Sequence, residues 1–439
     1  MSQEKPRGVP LRKIATAAFI LGLVQGLGSV VRDCALTCHV GYRYAPIAFL
    51  IVAALSLPFV ALQLKMQRRW GEEPYRVRST VLVAASLLGF RLMLALLRGD
   101  SGPSGPSAVA SYVGFFVWVD VAFMLIGAQL FALIQGDEQE TDRGLTYFAA
   151  AVYAGGLLGG ALTGGINRFF IDILHLPMDV ARDHLMIPMA ISLLLLVPIA
   201  ATNSTASPAP SDAPKESAKV EGGGLSEALG VLGGDKGARQ VTTAFVLASA
   251  SAIALESLFY WVLTLNAQGG AGFVQLLATM AIWMNGASLV LAAGGSARII
   301  RRLGIAASVL TVPACLLLGS SYLLVGAALM VMLAMRVLKD SLSGGLYEPA
   351  SERMLVRLQG EHYGKRRPIF EVASRMGTGF GALVVLALTL YFEASLRTLV
   401  IVTIILHLAW FISLIPLARK VRAVVAPIPV ANTSAGSQG

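Results

Sequence analysis

The chain has 439 residues, of which 56% are hydrophobic and 14% charged, with a mean hydropathy of +0.70. This composition excludes an ordinary soluble domain and predicts a membrane protein, and the long apolar runs predict helices rather than a β-barrel. The net charge of +10 would suit a nucleic-acid partner, but the Lys and Arg residues lie between the apolar runs. We therefore expect a membrane partner, anionic lipid included, and no nucleic acid.

Twelve apolar stretches are predicted to span the membrane as helices. In chain order the spans are Ile14–Ala35, Tyr44–Leu64, Thr80–Leu97, Tyr112–Leu133, Leu145–Ile166, Leu185–Ala201, Val241–Leu265, Val274–Ala292, Ile305–Leu318, Tyr322–Tyr347, Thr378–Tyr391 and Thr398–Ala418. The division between the ninth and tenth spans depends on Gly319-Ser320-Ser321, so eleven or thirteen spans also fit the pattern.

The distribution of positive charge predicts the orientation of the chain. With the N-terminus in the cytoplasm, 26 of the 35 Lys and Arg residues lie on the cytoplasmic side, 5 on the other side and 4 inside spans. Positive residues concentrate on the cytoplasmic side of membrane proteins. We expect a multi-pass protein of a bacterial inner membrane, with both termini cytoplasmic and no cleavable signal peptide.

A polar segment divides the chain in two. Thr202–Gly224 is rich in Ser, Pro, Ala and Gly, a composition that buries no core and predicts disorder. We therefore expect an N-terminal six-helix half (1–201), a cytoplasmic linker (202–240, disordered in its first part), a C-terminal six-helix half (241–421) and a short tail (422–439). Two six-helix halves joined in this way are typical of the major-facilitator class, although no residue-level repeat relates them here.

Glycines in the fifth span predict close helix packing. Gly155 and Gly159 form one small-xxx-small pattern, and Gly156, Gly160 and Gly164 form a second one. Gly377, Gly379 and Gly381, at the start of the eleventh span, predict the same.

Eight ionisable residues lie inside the predicted spans, where a charge facing lipid is costly. They are Arg32, Asp33, Arg91, Asp120, Glu256, Arg336, Lys339 and Asp340. All except Arg91 lie on spans one, four, seven and ten, which line the central cavity of a major-facilitator bundle. The pattern therefore predicts a polar central cavity.

Several of these charges have a structural alternative to a cavity role. Arg32 and Asp33 form either an outer ion pair or part of a cavity-lining stripe. Asp120 is either a partner of Arg91 or a cavity group. Arg336 and Asp340, spaced i, i+4, either pair with each other or bind a ligand.

Arg336, Asp340, Ser343 and Tyr347 fall on one helical stripe at i, i+4, i+7 and i+11. Lys339 and Asp340 could also lie at the cytoplasmic mouth of the cavity. His407 is interpreted as an ordinary packed histidine.

No pattern indicates an enzyme, a cofactor or a metal site. Cys34, Cys38 and Cys315 lack metal-ligand spacing, and the five histidines form no cluster. The glycine runs do not follow a strand, so they are not nucleotide-binding fingerprints.

Several blocks resemble the nucleotide-transporter family, the ATP/ADP translocases of plastids and obligate intracellular bacteria and their bacterial relatives. These blocks are Val31–Leu36, Tyr112–Phe131, Arg143 with Tyr147 and Gly155–Gly160, Arg301–Gly304, and Arg336–Gly381. The seventh helix departs from the family pattern, because Glu256–Val262 has no lysine. The resemblance therefore implies the fold and an exchange-transport role more than it implies ATP.

These observations predict a monomeric secondary active transporter of a small, anionic, nucleotide- or phosphate-bearing solute, working by alternating access. Arg32, Arg336 and Lys339 would hold the anionic group, and Asp120 and Glu256 would carry a coupling proton or orient the cations. Asp33, Arg91 and Asp340 would serve coupling or pairing. One alternative is a proton-coupled carrier of another small solute. The other is a non-transporting membrane scaffold or receptor with the same fold.

Overall fold

The structure, a computed structural model, describes residues 10–97, 106–131, 138–201, 236–266, 271–326, 329–359 and 363–425. Those residues form helices and short connections and contain no strand. The predicted linker lies outside the described residues up to residue 235, and the C-terminal tail lies outside them after residue 425, where the last helix ends. The first helix of the C-terminal half begins within the predicted linker, at Lys236.

Sixteen α-helices are described, several of which continue into a π-helical turn. They are α1 (Leu11–Ala35), α2 (Ala45–Trp70), α3 (Glu72–Leu97), α4 (Pro106–Phe131), α5 (Glu138–Arg168), α6 (Met178–His184), α7 (Met186–Leu194), α8 (Val197–Ala200), α9 (Lys236–Asn266), α10 (Ala271–Val290), α11 (Ser296–Leu303), α12 (Ile305–Tyr322), α13 (Leu329–Leu342), α14 (Glu348–Gln359), α15 (Tyr363–Leu386) and α16 (Leu396–Val425). The π-helical turns are Leu36–Val40, Phe169–Ile173, Leu291–Gly295, Ser343–Tyr347 and Ala387–Tyr391.

Among the described residues, eleven helices are long and apolar enough to cross a membrane. The predicted tenth span is not one of them, and its helix α13 carries the charged residues Arg336, Lys339 and Asp340. The predicted break after the ninth span was misplaced. α12 continues through Gly319-Ser320-Ser321 to Tyr322, and Ser321 Oγ donates to the Leu317 carbonyl 2.8 Å away, which accommodates the serine within the helix.

Helix contacts repeat between the two halves, although the residues do not. α1 packs against α5 and α3 against α7 in the N-terminal half, and α9 against α15 and α12 against α16 in the C-terminal half. Across the halves, α2 packs against α15 and α10 packs against α5. Both of these contacts in the first half thus have counterparts six spans later. This is the arrangement of two six-helix halves related by an axis along the membrane normal.

The two glycine patterns of α5 occupy different faces. A Cβ on Gly155 would lie 1.9 Å from the Phe19 carbonyl oxygen of α1, and one on Gly159 would lie 2.3 Å from the Leu23 carbonyl oxygen. On the other pattern, a Cβ on Gly160 would meet Ala281 of α10 at 3.1 Å. One pattern therefore packs α5 within its own half, and the other packs α5 across the interface between halves.

The glycines at the start of the eleventh span pack in the same way. Cβ atoms on Gly377 and Gly381 would lie 2.4 and 2.7 Å from carbonyl oxygens of α9. The prediction of close packing at both glycine clusters is confirmed.

Candidate functional site

The N-terminal half contributes an arginine held between two carboxylates. Arg32 Nε near the end of α1 donates to Asp33 Oδ1 at 2.8 Å, and Arg32 Nη1 donates to Asp120 Oδ1 on α4. The guanidinium carbon also lies 4.9 Å from the centre of the Phe116 ring, within the range of a cation–π contact. α1 and α4 therefore meet at a compact, largely buried cluster of charge.

The C-terminal half contributes four charged groups on two helices. Glu256 Oε1 on α9 lies 2.7 Å from Arg336 Nη1 on α13, and Glu256 Oε2 lies 3.3 Å from Lys339 Nζ. Asp340 Oδ2 and Oδ1 lie 2.8 Å from Arg336 Nε and 3.0 Å from Lys339 Nζ. Each carboxylate thus contacts both cations, which ties α9 to α13.

Arg336 is close to its carboxylates without being fully hydrogen-bonded to them. Its Nε and Nη1 lie at ion-pair distance from oxygen, yet neither has an acceptor in line with its N–H bond. Its guanidinium carbon lies 5.3 Å from the centre of the Phe259 ring, and the residue is only 6% exposed. Arg336 is therefore held between Glu256 and Asp340 by two close ion pairs of imperfect hydrogen-bond geometry.

Tyr260 joins the two clusters. Its hydroxyl donates to Asp33 Oδ1 at 2.8 Å, a bond from α9 of one half to α1 of the other. We call the resulting set the central network: Arg32, Asp33, Asp120, Glu256, Tyr260, Arg336, Lys339 and Asp340. It connects spans one, four, seven and ten, the four spans on which the sequence places most of its buried charge.

The charge balance of the central network differs from the sequence interpretation. With every group ionised, four carboxylates face three cations, which is a formal net charge of −1. The Asp120 and Asp340 side chains are 23% and 24% exposed, whereas those of the other charged members are at most 13% exposed. The groups that solvent reaches best are therefore carboxylates.

Two sequence interpretations need correction. Asp120 pairs with Arg32 and not with Arg91, whose Nη2 lies 3.0 Å from His184 Nε2. Tyr347 leaves the predicted stripe, because the π-helical turn Ser343–Tyr347 contains one residue more than an α-helical turn and so shifts the helix register. Its ring packs against Trp410 of α16 instead.

The sequence analysis did not predict a second buried cluster, which is centred on Arg182 of α6. It left Arg182 in the connection between the fifth and sixth spans. Arg182 is 1% exposed and donates to Asp183 Oδ1 and to the Tyr112 hydroxyl, at 2.7 and 3.0 Å. Its Nη1 lies 2.7 Å from His39 Nε2, and the His39 ring stacks on Tyr112. The available signal was the Arg-Asp dipeptide, which occurs here as it does at Arg32-Asp33.

A cavity of about 270 Å³ opens beside this second cluster, lined by Cys38, His39, Met178, Asp179 and Arg182. Within the described ranges, no group of three or more His, Cys, Asp or Glu side chains could hold a metal ion. Cys34 and Cys38 are free thiols whose sulfurs lie 3.7 Å apart.

Comparison with known proteins identifies the architecture. No family model matches the chain, and no curated protein matches it. Among solved structures, it is similar to the inward-open xylose transporter XylE from E. coli, with 14% identity, a TM-score of 0.61, and 96% of this chain and 98% of that chain covered.

Two further structures match over nearly the whole chain. A bacterial homologue of the iron transporter ferroportin gives 12% identity and a TM-score of 0.60, covering 93% of this chain and 100% of that chain. A structure described under substrate recognition in proton-dependent oligopeptide transporters gives 15% identity and a TM-score of 0.60, covering 94% and 98%. Together with the repeated helix contacts, these matches show that the chain has the fold of major-facilitator secondary transporters, with two six-helix halves.

Proposed function

We propose that the protein is a secondary transporter that moves a small polar solute by alternating access, and that this solute or its coupling ion carries positive charge. The central network is the binding site in this proposal. Asp120 and Asp340 would receive the positive group, and Arg32, Arg336 and Lys339 would hold the carboxylates in place and engage any acidic group on the solute.

The observation that carries this proposal is that the central network contains one carboxylate more than it contains cations. A charged group away from bulk water needs a partner of opposite sign, and a cation or a proton would neutralise the central network. Every cation in the network already has at least one carboxylate within 3.3 Å. A free anion would instead raise the negative charge of the site.

An anionic solute remains the second candidate, favoured by one observation. Arg336 Nε and Nη1 are buried donors without aligned acceptors, and a guanidinium engages carboxylate or phosphate through a planar fork. A nucleotide- or phosphate-bearing solute could use these donors if Asp340 moved away. A zwitterionic solute would satisfy the donors of Arg336 and the exposed carboxylates together.

A thermal-stability screen of the purified protein tests the sign of the charge. Cationic, zwitterionic, neutral and anionic solutes would be compared at equal ionic strength, with ATP, ADP and inorganic phosphate among the anions. We expect stabilisation by cation-bearing solutes, because a ligand present at 100 times its Kd stabilises the folded state by about 2.7 kcal/mol. Uptake into liposomes, with and without a pH gradient, would then test transport.

Two variants with the same change of charge provide the control. Asp120→Asn should lower the apparent affinity for a cation-bearing solute at least tenfold, as measured by thermal stabilisation. Asp172→Asn, at an exposed position outside the network, should leave this affinity unchanged. Stabilisation by nucleotides or phosphate alone would contradict the proposal and favour the anionic candidate. Stabilisation by none of the solutes would favour a non-transporting scaffold.

We further propose a bacterial inner-membrane location with both termini in the cytoplasm. The 26-to-5 division of Lys and Arg supports this orientation. Single cysteines introduced at exposed Arg69 and Arg302 in a cysteine-free variant should react with a membrane-impermeant maleimide only after the cells are permeabilised. Labelling in intact cells would contradict the orientation.

A further inference from the structure

Two of the three cysteines lie side by side where α1 ends, outside the central network. Cys34 is on the last turn of α1, and Cys38 is on the π-helical turn that follows it. Both thiols are free, and their sulfurs lie 3.7 Å apart, within the range of a hydrogen bond between sulfurs. The third cysteine, Cys315, is on α12 in the other half. Cys34 and Cys38 therefore form a dithiol.

The two thiols of this pair differ in their access to solvent. Cys38 is exposed, and it lines the cavity of about 270 Å³ together with His39, Asp179 and Arg182. Cys34, one helical turn earlier, is 0% exposed and does not line the cavity. A reagent that enters the cavity therefore meets the Cys38 sulfur first, and Cys34 can react only with what is already on Cys38.

The spacing of the pair permits a disulfide. Residues four apart on an α-helix have Cα atoms about 6 Å apart, and disulfides span about 4.4–6.8 Å between Cα atoms. The two sulfurs must approach each other from 3.7 Å to about 2 Å. Cys38 lies on the π-helical turn Leu36–Val40, which ends at Gly41 with a φ of +79°, so the backbone beyond it is not held in a regular helix. This end of the helix can therefore accommodate the movement.

We propose that Cys34 and Cys38 are a redox-active pair, in which Cys38 reacts with a small disulfide from solution and Cys34 resolves the adduct. The Cys38 thiolate attacks one sulfur of the small disulfide RSSR, whose S–S bond breaks with release of one RS⁻. The Cys34 thiolate then attacks the Cys38 sulfur and displaces the second RS⁻. Both leaving groups take up the protons of the two thiols, so the protein is oxidised to a disulfide and RSSR is reduced to two RSH.

The surroundings of the pair suit this exchange. The attacking and leaving groups are both anionic thiolates, and the Arg182 guanidinium lines the same cavity within electrostatic reach of both sulfurs. Reactive cysteines typically lie beside a cation at a partly exposed position. Cys315 is the only cysteine of the C-terminal half, so it has no second thiol to resolve an adduct.

The disulfide would connect two clusters of the protein. Cys34 directly follows Asp33 of the central network, and Cys38 directly precedes His39, whose Nε2 lies 2.7 Å from Arg182 Nη1. Drawing the sulfurs together would therefore move the His39 end of the second buried cluster toward the central network. The reaction itself does not depend on the proposed transport activity.

Bis(hydroxyethyl) disulfide, a small and uncharged disulfide, tests the reaction on the purified and reduced protein. We expect Cys34 and Cys38 to lose their maleimide reactivity together, with a loss of two hydrogens in the intact mass, and dithiothreitol to restore both thiols. A stable hydroxyethylthio adduct on Cys38 with Cys34 still reduced would overturn the proposal. A disulfide-linked dimer of the protein, or two thiols that stay reduced, would also overturn it.

Single variants test the order of attack. Cys34→Ala removes the resolving thiol, so it should trap a hydroxyethylthio adduct on Cys38. Cys38→Ala should modify Cys34 at least about tenfold more slowly, because reactivity requires access. Cys315→Ala is the matched control and should form the disulfide at the rate of the wild type. Equal rates of adduct formation in the first two variants would overturn the assignment of Cys38 as the attacking thiol.

Discussion

Replacing Arg336 with alanine is expected to lower the free energy of unfolding by about 3–5 kcal/mol, the usual cost of removing one partner from a buried ion pair. Glu256 and Asp340 would then depend on Lys339 alone, and the charge of the central network would change from −1 to −2. The measurements are the Tm and the monodisperse fraction of the purified variant. A Tm within about 1 °C of the wild type would contradict the role of Arg336 in holding α9 to α13.

Three further variants separate charge, geometry and ligand binding at this position. Arg336→Lys keeps the charge and loses the planar fork, so it should fold but show a weaker stabilisation by solutes than the wild type. Arg336→Gln combined with Asp340→Asn removes one charge of each sign and should recover most of the stability that Arg336→Ala loses. Arg298→Ala, at an exposed arginine, should change the free energy of unfolding by no more than about 0.5 kcal/mol.

The second large effect is expected at Gly155, where α5 contacts the backbone of α1. An alanine Cβ there would lie 1.9 Å from the Phe19 carbonyl oxygen and 2.8 Å from the Leu23 nitrogen. Neither atom is the end of a flexible side chain, so the two helices must separate. We expect Gly155→Ala to cost about 1–3 kcal/mol or more, seen as a lower Tm and a lower yield of folded protein.

Gly165 on the same helix supplies the matched control. A Cβ at Gly165 would have no heavy atom within 4 Å, and alanine has the higher helix propensity, so Gly165→Ala should leave the Tm unchanged or raise it slightly. Equal effects of the two variants would show that backbone contact at Gly155 does not determine stability.

The assembly of the central network was foreseeable in outline from the sequence. Buried charges on spans one, four, seven and ten predicted a shared polar cavity, because a charge is tolerated in a bilayer only against protein or water. Which charge meets which was not foreseeable. The two spans that carry Arg32 and Arg91, α1 and α3, both pack against α4, and the rotation of each helix about its axis decides that Arg32 is the partner of Asp120 and Arg91 is not.

The net charge of the site also required the structure. The sequence suggested an anion site because three cations, Arg32, Arg336 and Lys339, lie on cavity-lining spans, where a buried charge is costly. The carboxylates next to them in the sequence, Asp33 and Asp340, had an alternative explanation as local ion-pair partners. All four carboxylates belong to one network because of contacts that only the structure shows. Asp340 contacts both Arg336 and Lys339, and the Tyr260 hydroxyl donates to Asp33.

By itself, the sequence determined the membrane class, most span positions, the two-half plan and the close packing at Gly155 and Gly377. These features result from composition, residue spacing and the absence of a Cβ, which are local properties of the chain. The tertiary structure alone decided the ion-pair partners, the burial of Arg182 and the position of Tyr347. These depend on helix rotation and on a π-helical turn that shifts the register by one residue, and neither leaves a periodic signal in the sequence.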